Sequence, residues 1–417
     1  MAKIKIKNVG PIVDVEIEIN KVNIITGPQS SGKSTIAKLV SYCQWVEKRR
    51  MLDGEYQEDI QKQFLDFHHF HKNYFDENSF FEYESNFAKI SYSGKELKES
   101  IEVNEKNILD YKKIKNIYIP AERNFVSVIP NLNKYNEKND NIMNLIYDWF
   151  TAKQNFDKHH SLPLLNFDIN YYYQNGADLD MLILNKKTKE IPLKTGSSGL
   201  QSVTPLLVII QYLAENIYRE NPVISVKEKE YLHKILKDNG VEVDNNLHTY
   251  GFDNPKGIFI HARRNFYHGT NFIIEEPEQN LFPETQRDLI YHILSYNGFS
   301  VNVPNKDIDF TEQEHSLIIT THSPYILYAI NNCMLGGLVN SQLEGAEKEE
   351  FLSESFLSKK SWIDPKLVSV WEIDNGKLRQ IQDQDNIISQ NYFDTKMTEL
   401  MDEYSLILNY YKDEDER

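Results

Sequence analysis

The stretch Gly27-Pro28-Gln29-Ser30-Ser31-Gly32-Lys33-Ser34-Thr35 fits G-x-x-x-x-G-K-[ST], the pattern of a phosphate-binding loop. Gly27 and Gly32 let the backbone turn so that successive N–H groups point at one anion. The Lys33 ammonium can reach the β- and γ-phosphates of a nucleotide, and the Ser34 hydroxyl is a ligand for Mg²⁺. The stretch therefore predicts a site for nucleotide phosphates with Mg²⁺ and a fold built around it.

The flanking residues support this match. An apolar strand is predicted at residues 22–26, and apolar residues at helical spacing follow the loop. Upstream, residues 4–7 and 13–19 alternate apolar with polar on either side of Gly10-Pro11, which predicts two further strands. A strand, a loop and a helix in this order direct a positive helix end at the phosphates. The alternative is an accidental Gly/Ser turn before a helix.

Length, charge and cysteine content limit the classes of protein that remain. The 417 residues suffice for one large α/β domain with insertions or for two to three smaller units. A net charge of −16 disfavours a broad nucleic-acid surface, although a local basic groove stays possible. Cys43 and Cys333 belong to no C-x-x-C pair, which indicates a reducing compartment. Without a long apolar run or a leader-like N-terminus, we expect a cytoplasmic protein with no membrane contact.

Three later strands are each predicted to end in polar residues. Residues 271–276 form an apolar strand ending in Glu275 and Glu276, and Glu278 follows. Carboxylates at a buried strand end suit metal binding and water activation, although an acidic surface turn is the alternative. Residues 316–320 lead to His322, which alone is more typical of a structural histidine. Residues 117–119 lead to Glu122 and its neighbouring arginine, a pair equally typical of a site or of a surface ion pair.

A second Gly/Ser-rich segment, TGSSGLQS at residues 195–202, precedes a predicted helix from Val203 with Pro205 in its first turn. Backbone N–H groups and hydroxyls at a helix N-terminus can bind an anion, so Ser197, Ser198 and Gly199 form a second candidate anion site. Capping of the helix by Ser198 or Ser202 is the alternative, and the segment by itself does not decide between the two.

The remaining segments carry weaker patterns. Residues 42–110 look mostly helical or irregular, and the histidines of FHHFHK at residues 67–72 indicate surface positions or aromatic-core packing rather than metal binding. Residues 334–360 look like a loop. A hairpin at 368–381 and a helix at 394–410 follow, and the helix has apolar residues on one face that suit packing or docking.

Taken in order, GPQSSGKST, PAERN, GSSGLQS, FIIEEPEQNLFPETQ and IITTHSP resemble the motifs of the ABC-type ATPase head of chromosome-maintenance, RecF-like and overcoming-lysogenization-defect proteins. The chain is most similar to compact AAA-family ATPases of bacterial anti-phage operons, such as the PARIS ATPase subunit and retron-associated ATPases. The resemblance implies an α/β P-loop ATPase with a mixed sheet core, an N-terminal antiparallel β-layer and a helical insertion and signature lobe. Residues 1–50 and 255–417 would form the nucleotide-binding lobe, and residues 51–254 the other lobe.

The resemblance also implies a role for each matching residue. ATP and Mg²⁺ are the implied cofactors, with Ser34 and Glu275 as metal ligands and Glu122 as a further ligand in the Q-loop region. Glu276 would polarise the attacking water, and His322 would sense the γ-phosphate. Ser198, Gly199 and Gln201 match the signature loop, which in the family contacts the nucleotide of a partner subunit. Two positions depart from the family pattern, because Glu275 replaces aspartate and Glu122 replaces glutamine.

Three functions follow as hypotheses. The first is a slow ATPase that dimerises around nucleotide, senses infection through DNA or a phage protein, and controls a separate nuclease or toxin. The second is a RecF-like repair ATPase that binds DNA. The third is a stand-alone nuclease, which would need a second acidic metal cluster that the sequence does not display.

Overall fold

The computed structural model describes residues 2–54, 59–129, 132–135, 140–184, 186, 189–219, 225–240, 260, 262–296 and 314–411. Its strands, in chain order, are β1 Ala2–Val9, β2 Ile12–Ile19, β3 Val22–Thr26, β4 Phe75–Glu84, β5 Ala88–Ser93, β6 Lys98–Val103, β7 Lys113–Ile119, β8 Leu162–Pro163, β9 Ile169–Gln174, β10 Leu179–Leu184, β11 Lys189–Pro192, β12 Tyr267–Glu275, β13 Ser316–Thr321, β14 Val368–Asp374 and β15 Lys377–Gln380. Its α-helices are α1 Lys33–Asp53, α2 Ile60–Phe67, α3 Phe125–Val128, α4 Asn141–Lys153, α5 Ser198–Gln211, α6 Val226–Asp238, α7 Pro283–Ser295, α8 Pro324–Gln342, α9 Gly345–Ser353 and α10 Tyr392–Leu408.

The main sheet runs in the order β6-β5-β4-β1-β2-β15-β14-β3-β13-β12-β7. From β14 to β7 neighbouring strands are parallel, whereas β6 to β2 form an antiparallel layer. The strand that leads into the phosphate loop, β3, lies between β13 and β14, and β12 follows β13. Because parallel strands end at the same edge, the loops after β3, β13, β12 and β7 are brought together there.

Both faces of the parallel part are covered, which explains its nearly continuous apolar sequence. Alternate residues of each strand point to opposite faces, so Ile24 and Ile274 enter one core cluster while Ile25 and Ile273 enter the other. Helix α1 packs in the second cluster, and helices α5, α7 and α8 pack in the first. A separate antiparallel sheet, β11-β10-β9-β8, extends the first cluster through Tyr171 and Leu182. The α/β P-loop ATPase fold with a large mixed sheet is therefore confirmed.

The expectation that residues 42–110 are mostly helical or irregular is wrong for their second half. Strands β4, β5 and β6 pair in antiparallel fashion and continue the N-terminal layer, with β4 pairing to β1. Buried and less buried residues alternate along β4 and β5, so that Phe81, Tyr83 and Ile90 enter the core. The charged residues between them lie on the other face of the sheet, and they obscure the strand pattern in the sequence.

Within the same segment, His68 is confirmed as a packing residue. Its ring lies 4.9 Å from Phe67, 5.3 Å from Phe64 and 5.2 Å from Tyr118, measured between ring centroids. Burial lowers the pKa of His68 well below its usual value, so the imidazole stays neutral.

The helix of the second Gly/Ser segment begins at Ser198 rather than at Val203, so Pro205 lies inside α5 and not in its first turn. A proline inside a helix leaves the carbonyl four residues earlier without its usual N–H donor. Here that carbonyl belongs to Gln201, and the Ser127 hydroxyl donates to it at 2.9 Å. A residue distant in sequence therefore supplies the hydrogen bond that the proline cannot make.

The expectation of a loop at residues 334–360 is also wrong, because α8 extends to Gln342 and α9 follows. Two adjacent glycines, Gly336 and Gly337, weaken the helical pattern in the sequence. In the structure, a Cβ at Gly336 would lie 2.1 Å from Trp362, and one at Gly337 would lie 2.2 Å from the Ile363 carbonyl. The glycines therefore serve close packing rather than a helix break. None of the described helices is long and apolar enough to cross a membrane.

Candidate functional site

The phosphate loop connects β3 to α1, as predicted, and its two glycines are required by geometry. Gly27 has φ +141° and Gly32 has φ +111°, both in the region that side chains rarely adopt. A Cβ at Gly27 would lie 2.1 Å from the Ile373 carbonyl oxygen, and one at Gly32 would lie 2.9 Å from Ile12. Residues of β14 and β2 therefore pack so closely against the loop that its backbone leaves no room for a side chain at Gly27 or Gly32.

Lys33 is the first residue of α1 and is almost fully buried. Its ammonium donates to the carbonyls of Gly27 at 2.9 Å and Pro28 at 2.7 Å. Burial lowers the pKa of Lys33 to about 8, while the carboxylates of Glu276, Glu278 and Glu275 oppose that shift. The lysine is thus held by its own loop and faces the acidic residues that follow β12.

Glu275 ends β12 and is buried, and its Oε1 has no hydrogen-bond partner among the described residues. A buried carboxylate oxygen without a partner is costly unless a cation or proton lies against it. A carboxylate from a strand end and a hydroxyl such as that of Ser34 are the oxygen ligands that Mg²⁺ prefers. The donor set at this edge of the sheet therefore fits a magnesium ion.

Glu276 and His322 form the central pair of the site. The Glu276 backbone has φ +42°, a strained conformation for a residue with a side chain, and its N–H donates to the Thr320 carbonyl at 2.9 Å. This turn places the carboxylate 3.1 Å from His322 Nε2, and the Gln279 amide donates to its other oxygen at 3.0 Å. The hydrogen bond from His322 lowers the pKa of Glu276, so the group stays a carboxylate. With 32% of His322 and 29% of Glu276 exposed, water can reach the pair.

Glu278 links the turn after β12 to the one after β13. Its Oε1 accepts hydrogen bonds from the Thr321 hydroxyl at 2.8 Å and from the His322 N–H at 2.6 Å. Burial raises the pKa of Glu278, and these hydrogen bonds oppose that rise. Glu278 therefore positions the backbone of His322 instead of facing solvent.

Arg123, which the sequence placed beside Glu122 without assigning it a role, is fully buried. Its guanidinium donates to the carbonyls of Glu275 at 2.9 Å, Glu276 at 3.1 Å and Pro277 at 3.2 Å. It also donates to Ser202 in α5 at 3.3 Å. Arg123 therefore ties the acidic turn to the signature helix. Its position directly after a buried strand was the available signal, but a glutamate–arginine neighbour pair is equally common on surfaces.

Glu122, which precedes this arginine, lies exposed in the turn after β7. The described residues give its carboxylate no hydrogen bond or ion pair. Its predicted role as a metal ligand stays a prediction.

Tyr74 is a residue that sequence reasoning missed. Its hydroxyl shares a hydrogen bond of 2.6 Å with the Thr35 hydroxyl at the start of α1. Its ring stacks on Phe70 at 4.0 Å and fills the space beside Gly10. The segment between α1 and β7 thus reaches the phosphate loop, which no local pattern indicates.

The second Gly/Ser segment, the expected signature loop, occupies the N-terminus of α5, which Ser197 caps by accepting from the Leu200 N–H at 3.5 Å. Ser198 is exposed, and the Gln201 amide donates to carbonyls of its own loop, Lys194 and Gly196. A Cβ at Gly199 would lie 2.8 Å from the Asn280 carbonyl, so the segment adjoins the chain after the acidic turn. Within the described part of the chain, no hydrogen bond or ion pair joins Ser198 to residues 27–35.

Comparisons with solved structures find distant similarity. The chain is similar to the SMC head domain from Thermotoga maritima, with 10% identity and a TM-score of 0.37 over 93% of this chain and 98% of that one. It is also similar to the recombination mediator RecF in complex with an ATP analogue, with 9% identity and a TM-score of 0.30 over 91% and 97%. A nucleotide-free ATP-binding cassette of an ABC transporter matches with 10% identity and a TM-score of 0.30 over 93% of each chain.

No curated protein matches the sequence. A family model described as AAA domain matches residues 3–244, which is more than half of the chain and contains the phosphate loop and the signature segment. The chain therefore belongs to the AAA domain family.

Proposed function

We propose that this protein hydrolyses ATP with Mg²⁺, and the pairing of Glu276 with His322 opposite Lys33 carries the proposal. Lys33 and the N–H groups of its loop would bind the β- and γ-phosphates. Ser34 and Glu275 would hold the magnesium ion, which neutralises phosphate charge when bound. Glu276, kept ionised by His322, would orient and polarise the attacking water. A partly exposed carboxylate–imidazole pair on a strained turn suits this role better than a purely structural one.

The test replaces Glu276 by glutamine, which keeps the shape of the side chain but removes its charge. Phosphate release should fall by about 10²–10⁵, because water positioning supplies several kcal/mol of barrier reduction, while ATP binding persists. Glu284→Gln, the same change at an exposed position in α7, serves as the control and should leave turnover unchanged. Wild-type turnover in Glu276→Gln would refute the assignment.

The proposal includes a dimer in which the signature segment of one subunit completes the nucleotide site of the other. Ser198 is exposed at a helix N-terminus, and among the described residues no hydrogen bond joins it to the phosphate loop of its own chain. Ser198→Arg and Lys33→Ala should each abolish turnover alone, and mixing them should restore one intact site per heterodimer. Confirmed heterodimers without recovered activity would contradict this arrangement.

The proposed output is control of a separate protein through α10. Every residue of this helix remains exposed or partly exposed, including Met397, Leu400 and Tyr404 on its apolar face. An apolar face of this length favours a protein partner. Resemblance to anti-phage ATPases suggests that the partner is a nuclease or toxin released by a phage-derived signal.

A RecF-like repair function makes a different prediction, which is ATP turnover stimulated by DNA in a salt-dependent manner. With Mg²⁺ and ATP, the purified protein should leave plasmid DNA intact and show no such stimulation. Stimulation by DNA would favour the repair function. Cleavage that disappears in Glu276→Gln would favour a nuclease.

A further inference from the structure

Beside β7, at the end of the sheet order, the described residues line a partly open cavity of about 330 Å³. We call it the lysine cavity, because Lys48, Lys113 and Lys115 line it together with Trp45 and Tyr267. Among its described lining residues there is no member of the phosphate loop or of the turn after β12. Its volume is at the lower end of the range for small-molecule sites, about 300–1,000 Å³.

The three lysines come from two elements, and two of them, Lys48 and Lys113, lie over the same aromatic ring. Lys48 extends from α1, and its ammonium lies 4.8 Å from the centre of the Tyr267 ring and 3.5 Å from its hydroxyl. The Lys113 ammonium lies 5.3 Å from the same ring centre. Lys115 shares a strand face with Lys113, because alternate residues of β7 point the same way. With Arg49, four cationic side chains therefore line one space, beside the carboxylates of Asp53, Asp148 and Glu228. Arg49 pairs with Asp53 at 2.7 Å.

Only part of this charge is neutralised by acidic residues of the described chain. Lys113 pairs with Glu228 at 3.2 Å, and Lys115 pairs with Asp148 at 2.7 Å. Lys48 has no ion pair with any described carboxylate, and its hydrogen-bond partner is Tyr267. Burial, reinforced by Lys115 and Lys113, lowers the pKa of Lys48. Burial alone would raise the pKa of Tyr267, yet the lysines lower it, which reports a positive potential in the cavity.

The cavity also offers groups suited to an aromatic ligand. Trp45 lines it and stacks on Phe67 at 6.0 Å, which holds the indole in place. Asn141 also lines it, is 7% exposed, and has a side-chain oxygen without a hydrogen-bond partner among the described residues. A buried amide oxygen with no donor favours a ligand that carries an N–H group. The cavity is therefore lined by a cation, Lys48, an aromatic ring, Trp45, and a hydrogen-bond acceptor, Asn141.

We propose that the lysine cavity binds a small phosphate monoester that carries an aromatic base, a nucleoside monophosphate being the simplest such molecule. The phosphate would lie against Lys48, Lys113 and the Tyr267 hydroxyl. The base would pack on Trp45 and donate an N–H to Asn141. Such a site is separate from the phosphate loop, and its existence does not depend on ATP hydrolysis.

The test uses the full chain with Lys33→Ala, which disables the phosphate loop, in the absence of Mg²⁺. Titration calorimetry compares three probes, AMP, ribose 5-phosphate and inorganic phosphate. AMP should bind best, and Lys48→Met should weaken it by about ten- to a hundredfold, the value of a hydrogen bond to a charged group. Lys48→Arg should retain binding, and Lys95→Met, at an exposed lysine, is the matched control.

A thermal melt separates loss of binding from loss of folding. Lys48→Met removes a buried ammonium that lacks an acidic partner, so its melting temperature without ligand should be unchanged or higher. AMP should raise the melting temperature only of chains that keep a cation at position 48. Equal affinity for AMP and inorganic phosphate would overturn the proposal. It would also be overturned by unchanged AMP affinity in Lys48→Met, or by the absence of binding for all three probes.

Discussion

Replacement of Arg123 tests whether the acidic turn needs an internal cation to hold its shape. The guanidinium is fully buried and donates to three consecutive carbonyls, those of Glu275, Glu276 and Pro277, at 2.9–3.2 Å. The carbonyl of Glu276 also accepts the Gln279 N–H at 3.2 Å, so it keeps one partner when the arginine is removed. The carbonyls of Glu275 and Pro277 lose the hydrogen bonds that they accept from the arginine.

The expected magnitude follows from these contacts. Arg123→Met removes a buried guanidinium with five hydrogen bonds to carbonyls, those of Glu275, Glu276 and Pro277 and two weaker ones to Ser202 and Pro120. This predicts a loss of about 3–5 kcal/mol of unfolding free energy. That is a large part of the 5–15 kcal/mol or so that is typical of a whole domain. Arg123→Lys keeps the charge but cannot reach all these carbonyls in one plane, and it should lose about 1–3 kcal/mol.

The functional readout separates positioning from folding. In Arg123→Lys, a displaced Glu276 should lower kcat by about 10–100-fold, equivalent to about 1.4–2.7 kcal/mol of barrier. The Kd for ATP should stay within about threefold, because the arginine does not contact the phosphate loop and uniform binding is therefore preserved. Urea unfolding and single-turnover hydrolysis measure the two effects separately.

Arg379→Lys is the matched control, because Arg379 is largely exposed on β15 and pairs with Glu372. It should change neither stability nor turnover appreciably. The reasoning fails if Arg123→Lys melts and hydrolyses ATP like the wild type. If kcat and ATP binding fall only in proportion to the fraction of unfolded protein, the arginine has a structural role and does not position Glu276.

Two further predictions concern proton uptake and the proline in α5. Burial lowers the pKa of Lys33 to about 8, and bound phosphates favour its charged form. ATP binding should therefore take up about half a proton at pH 8, more at higher pH and almost none at pH 6.5. Calorimetry in buffers of different ionisation enthalpy measures this proton uptake, and uptake that does not depend on pH would contradict the prediction. Ser127→Ala should cost about 1–3 kcal/mol, because the Gln201 carbonyl opposite Pro205 loses its donor. Most of that loss should disappear when Ser127→Ala is made in the Pro205→Ala variant, because residue 205 then supplies the N–H that the Gln201 carbonyl needs. Urea unfolding of the two single variants and the double variant measures the coupling energy, and a coupling energy near zero would refute this explanation.

Prediction from the sequence succeeded where a local pattern is also a physical requirement. The phosphate loop was predicted correctly because its two glycines adopt backbone angles that other residues disfavour, so the motif requires glycine at these positions. The acidic strand end and His322 are also placed as expected, since buried parallel strands are apolar throughout and end abruptly in polar residues. Prediction failed at β4 to β6, at Pro205 and at Gly336, where distant residues decide the local conformation.

The sequence by itself determined the phosphate loop and the strands that end at Glu275 and Thr321, just before Glu276 and His322, because these depend on residue types at fixed short spacings. The fold class followed from the resemblance of the ordered motifs to a known family. Only the tertiary structure decided that Arg123 joins the acidic turn to α5, that Glu278 anchors His322, and that lysines of α1 and β7 line one cavity. The physical reason is that a hydrogen bond or a charge cluster depends on distance in space. A sequence records separation along the chain, and for these groups the two are unrelated.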